Sequence, residues 1–215
     1  MKNLFSLDNP VMRFLDKMAD LIILNILFIV CGIPIITLGA SATAMCYVTL
    51  KMRDKEEGSV FRNFFRAFRQ NFAQATLIWI ILMALAGFLL ADYLLIRDLE
   101  GTDYQVIRIF LPLCAVLWGM VTLYVFFIQA RFRNTIPNTF RNALALAFIN
   151  APRCFLAVAI LVAVWRLVTF DADTFSLGIL IFLAVGCSGL ARLNCYLLCR
   201  KVEGLAPKPK DKNTE

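Results

Sequence analysis

Apolar residues run along this chain in long stretches separated by short polar connections, and the stretches have the lengths of helices that cross a bilayer. At a rise of about 1.5 Å per residue, roughly twenty apolar residues traverse a hydrocarbon core about 30 Å thick. By that measure the pattern predicts about six spans, near 18–33, 36–50, 73–96, 106–130, 143–170 and 177–198. The fold expected is all-α, a polytopic transmembrane helix bundle forming one domain over residues 1–205. Residues 206–215, with Pro207-Lys208-Pro209-Lys210, read as a disordered basic tail.

The first two spans come from one stretch, Leu21 to Leu50, which holds no charge and has Pro34 near its middle. Thirty helical residues would run about 45 Å, so either one span overshoots the core or two short spans form a tight hairpin. Proline removes a helical donor and clashes with the carbonyl four residues back, so the helix should kink or stop near Gly32. The small residues Gly39 to Ala44 that follow let neighbouring backbones come close. Upstream, Asn9-Pro10 reads as a helix start, asparagine capping and proline in the first turn.

Between spans two and three, Phe61, Phe64, Phe65, Phe68 and Phe72 recur at helical spacing, with Arg62, Arg66 and Arg69 on another side. That pattern predicts an amphipathic helix lying in the headgroup region, a candidate for lipid anchoring or partner docking. Trp79 and Tyr93 read as interfacial aromatics at the two ends of span three. A weak internal echo links this connection to the next. Phe61-Arg62-Asn63 is followed by Asn71, and Phe140-Arg141-Asn142 by Asn150, with Ala67 and Leu146 midway. It reads either as a parallel duplication of spans two and three in spans four and five, or as coincidence.

Charge sets the orientation. The formal charge is +7, but the basic residues cluster between apolar runs, which points to an anionic membrane surface rather than to nucleic acid. With a hairpin at Pro34, nineteen of the 22 lysines and arginines fall on one side, leaving Arg97, Arg108 and Arg166 on the other. A single span would give sixteen against six. The hairpin is therefore favoured, with both termini cytoplasmic, and no cleaved leader is read at the N-terminus.

Chemistry is sparse. The seven cysteines lie in apolar segments without a CxxC pair, and there is no histidine, so neither a metal site nor a disulfide framework is expected. No nucleophile, base or paired carboxylates share a plausible depth, and no cofactor is expected, so an enzyme is not. The polar residues at membrane depth are the remaining candidates: Asp20, Asn25, Asn71, Asn150 and Arg192. Buried arginine wants a partner, and Asp20 matches Arg192 in depth, with Asn25 and Asn71 as neutral alternatives and snorkelling to the surface as the other outcome. Ser188, Cys195 and Cys199 continue the Arg192 stripe, which is expected to face the bundle.

Asp20-Leu21, Leu24-Asn25, Gly32, Pro34, Thr37, Gly39-Ala40-Ser41 and Ala44, followed by Glu57-Gly58, Phe64-Phe65, Phe68, Asn71 and Ala73, resemble the YesL-like family of bacterial membrane proteins. The resemblance covers roughly residues 1 to 100; the second half agrees chiefly in hydropathy. Phe28 and Val30 depart from it, standing where the family is expected to be richer in tryptophan or leucine. The resemblance marks Pro34, Thr37 and Ser41 and carries over no catalytic residue. Family members are often encoded beside ABC-type sugar uptake systems and two-component regulators. That implies an accessory role in carbohydrate uptake or its sensing, in the bacterial cytoplasmic membrane, through contact with a sugar permease or a sensor kinase. The alternative is a small solute transporter or channel with its site at the broken hairpin, near Asn25, Asn71 and Asn150. A lipid-handling role would rest on the phenylalanine-rich helix alone, and homo-oligomers are compatible with every reading.

Overall fold

The computed structural model describes residues 10–54, 58–97, 102–132 and 134–152, with scattered positions between 155 and 195. In chain order they form α1 (Pro10–Gly32), a 3-10 turn (Ile35–Thr37), α2 (Leu38–Arg53), α3 (Val60–Ile96), α4 (Thr102–Arg131) and α5 (Ile136–Ile149), with no strand among the described residues. Pro10 opens α1, where a missing N–H costs nothing because the first-turn amides have no helical partner. Asn9, the expected cap, lies outside the described residues, as do the tail 206–215 and most of the expected sixth span.

α1 stops at Gly32, where the sequence places the break, because the residue before a proline is pushed out of the helical region. Pro34 itself is extended, with φ −72° and ψ 111°, and the 3-10 turn then feeds α2. Among the described residues, three segments are long and apolar enough to cross a membrane: Ile35–Arg53, Val60–Ile96 and Ile107–Arg131. α1 falls short of that standard because Asp16, Lys17 and Asp20 leave only Leu21–Gly32 uncharged.

The flat interfacial helix expected before span three does not exist as a separate element. Residues 60–96 form one helix of 37 residues, about 55 Å long at the usual rise. No proline interrupts it, and Gly87, the one glycine inside, is too weak a breaker on its own. The phenylalanine stripe is also about a quarter turn away from the face that packs, at 100° per residue. That face is Val60, Asn63, Phe64 and Ala67, so Phe64 is buried while Phe61, Phe65 and Phe72 remain exposed. A second boundary shifts at α5, which starts at Ile136 with Pro137 in its first turn and ends at Ile149. The expected fifth span, 143–170, thus begins inside a helix that ends at Ile149, with helical residues again at Ala151 and Pro152.

α2 lies at the centre, packing most extensively on α3 and also against α1 and α4. Its small residues allow this. A Cβ at Gly39 would lie 2.5 Å from the Ala75 carbonyl oxygen and 2.6 Å from Trp79 Cβ, so the α2 and α3 backbones nearly touch. One apolar cluster joins α1, α2 and the start of α3 through Leu24, Val48 and Phe64. The other joins the middle of α3 to α4 and α5 through Ile78, Leu82, Tyr124 and Ala143. At the start of α3, Gly58 holds φ +154°, a region that side chains beyond glycine rarely adopt.

Candidate functional site

The break at Pro34 is the best-defined candidate, and it is closed. Ending a helix leaves carbonyls without partners, and in a membrane each one needs a donor. Thr37 Oγ1 donates toward the Cys31 carbonyl at 2.5 Å and lies 2.7 Å from that of Pro34. Ser41 Oγ, fully buried, donates to the Phe28 carbonyl at 3.0 Å. The Ile35 carbonyl accepts from the indole Nε1 of Trp79 at 2.8 Å. Pro34, Thr37 and Ser41 thus gather at one place, with Trp79 added. Trp79, expected as an interfacial aromatic, has its indole directed across to the break. Trp118 does the same on α4, donating to the Leu82 carbonyl at 3.0 Å.

The asparagines do not converge. Asn25 is fully buried, and its Oδ1 accepts from the Ser188 backbone N–H at 3.1 Å, while Ser188 Oγ donates to the Leu21 carbonyl at 2.8 Å. Asn71 Nδ2 donates to the Ala67 carbonyl at 2.9 Å, and Asn150 Nδ2 to that of Leu146 at 3.2 Å. The two members of the echo therefore make the same bond four residues back. Ala67 and Leu146 are both buried and Phe65 and Leu144 both exposed, so the two helices also bury corresponding faces.

Ser188 and Cys195 are buried, as expected for the stripe that faces the bundle, and Arg192 between them is half-buried. It lies within electrostatic reach of Asp20, also half-buried, whose carboxyl feels burial and the neighbouring Asp16 more strongly than it feels Arg192. On the outer side of α3, Phe61, Phe65, Arg62, Arg66 and Arg69 are exposed, and Phe68 is half-buried between Phe64 and Phe72.

A polar corner went unnoticed in the sequence because its members lie far apart along the chain. Gln129 is 2% exposed, and its Nε2 donates to Asn71 Oδ1 at 3.4 Å. Gln74 Nε2 donates to the Asn134 carbonyl at 2.5 Å, fixing the turn between α4 and α5. No group of histidines, cysteines and carboxylates among the described residues could hold a metal.

These elements make the chain a helical membrane protein. Residues 21–93 match the family described as "Protein of unknown function, DUF624", the family that includes the YesL-like proteins. That match runs from the apolar half of α1 through the closed break and α2 to near the end of α3. Neither the curated proteins nor the solved structures give a match.

Proposed function

We propose that this chain is an integral membrane accessory protein of the bacterial cytoplasmic membrane, acting by contact with a sugar ABC permease or a sensor kinase in carbohydrate uptake or its sensing. The observation that carries this reading is the outer face of the first turns of α3. There Phe61 and Phe65 stand exposed beside exposed Arg62, Arg66 and Arg69. A helix of about 55 Å exceeds a hydrocarbon core of roughly 30 Å, and its arginine-bearing first turns, packed through Phe64 on α1 and α2, turn their other face outward. Aromatic and arginine side chains together are what binding surfaces favour at their centres.

In this reading the chain has six spans, α1 and α2 form the hairpin, and both termini are cytoplasmic. Solute passage at the break is the weaker alternative, because the carbonyls of Phe28, Cys31, Pro34 and Ile35 already have donors and leave little for a solute to bind.

Photo-crosslinking from position 61 or 65 in native membranes, followed by identification of the captured chains, tests the proposal. Capture of a permease or kinase subunit, lost when Arg62, Arg66 and Arg69 are changed to glutamine, is the expected result. Capture of lipid alone, with sugar flux through purified protein in liposomes, would replace this reading with the transporter.

A further inference from the structure

We infer that the corner between α4 and α5 binds a phosphate ester that carries a free hydroxyl, the chemistry shared by a polyol phospholipid headgroup and a soluble polyol phosphate. This rests on the corner alone and not on the accessory role. Asn71 and Gln74 sit three residues apart on one face of α3. Through their bonds to Gln129 and to the Asn134 carbonyl, they bring the end of α4 and the turn after it onto one patch. Three buried polar atoms on these residues have no hydrogen-bond partner, Gln129 Oε1, Arg131 Nη1 and Asn134 Nδ2, and the Arg131 guanidinium lies 5.8 Å from the centre of the Phe132 ring. Leaving such atoms unmet costs on the order of 1–3 kcal/mol each, more for a charged group, so a ligand that satisfies them is strongly favoured.

Their chemistry defines that ligand. Arg131 and Asn134 offer donors, one of them cationic, and call for an anionic acceptor. Thr135 precedes α5 without capping it through its side chain, so the first-turn amides of Ile136 and Asn138, Pro137 having none, lie at the positive end of a 14-residue helix without a side-chain cap. Gln129 Oε1 is an acceptor and requires a donor, which a bare anion lacks and a hydroxyl supplies.

The stretch of chain that builds this corner carries no anion of its own. No aspartate or glutamate occurs between Asp103 and Asp171. The preceding corner, between α2 and α3, differs in this respect, because Arg53 there pairs with Asp54 at 2.9 Å. Arg131 also ends one of the candidate spans, which puts its guanidinium at the level where lipid phosphates lie.

The test uses the full-length protein in detergent, offered phosphatidylglycerol, phosphatidylethanol and phosphatidylcholine in equal amounts, with retained lipid read by native mass spectrometry. Phosphatidylethanol has the same charge as phosphatidylglycerol but no free hydroxyl. Phosphatidylglycerol should be retained about fivefold or more over either, the equivalent of one hydrogen bond. Arg131→Gln should abolish the preference over phosphatidylcholine and Gln129→Met, which removes the acceptor, the preference over phosphatidylethanol, while Arg141→Gln, at an exposed arginine of α5, should keep both. Displacement by millimolar glycerol 1-phosphate would support the site and assign it to a soluble ligand; resistance to displacement would support it and assign it to the headgroup. Equal retention of phosphatidylglycerol and phosphatidylethanol would overturn the inference, and this comparison stands even if a variant fails to fold. Loss of preference in Arg141→Gln equal to that in Arg131→Gln would overturn it as well, by reducing the effect to diffuse surface charge.

Discussion

Gly39 and Gly119 are both helical glycines in an apolar chain, yet their surroundings give opposite expectations. A methyl at Gly39 runs into the Ala75 carbonyl and Trp79, backbone and side chain of a packed neighbour that cannot easily yield. Gly39→Ala should destabilise by about 1–3 kcal/mol, the usual range for overpacking. Nothing lies within 4 Å of a methyl at Gly119, so Gly119→Ala should be neutral or stabilise by up to about 1 kcal/mol through helix propensity. Thermal unfolding of the two variants in the same detergent compares them directly. Trp79→Phe keeps the ring but strips the donor from the Ile35 carbonyl. It should cost about 0.5–1.5 kcal/mol, and a silent Trp79→Phe would show that water takes the place of the indole.

Local signals in the sequence proved sufficient where the cause was local. Pro34 ends α1 at Gly32, and the run Gly39 to Ala44 lies in a close helix contact, each through steric rules acting within a few residues. The continuity of α3 was hidden by composition, because arginines at 62, 66 and 69 suggested a surface helix where the backbone had no reason to bend. A direct check places spin labels at exposed positions 66 and 80. One unbroken helix gives a backbone separation of about 21 Å with a narrow distribution, whereas a bend near Asn71 gives a shorter and broader one. The corner of Gln74, Gln129 and Asn134 could not be read from spacing, since its bonds cross about sixty residues. The shared bond of Asn71 and Asn150 lies between these cases: the eight-residue spacing was visible, and the identical partner four residues back was not.

For the molecule as a whole, the contact of Leu21 and Asn25 with Ser188 ties the first helix to the far end of the chain. Asp20 adjoins Leu21, and Arg192 lies one turn beyond Ser188. If their attraction helps hold the ends together, Asp20→Arg and Arg192→Asp should each lower the yield of folded protein, and the double exchange should recover much of it. Equal loss in the double variant would leave Ser188 as the link that matters. Orientation is checked by reporter fusions: a fusion in the turn near residue 58 should report the same side as one after residue 200 if the six-span reading, which gathers nineteen basic residues on one side, holds. The closed break also bears on how the protein is made. Synthesis runs from the N-terminus, so the turn at Pro34 leaves the ribosome while Trp79 is still forty-four residues from its partner Ile35. Thr37 and Ser41 arrive within the hairpin and seal three carbonyls at once, but the fourth stays an empty socket until α3 follows. The indole is then the plug that fixes the order of assembly, hairpin first and third helix locked onto it.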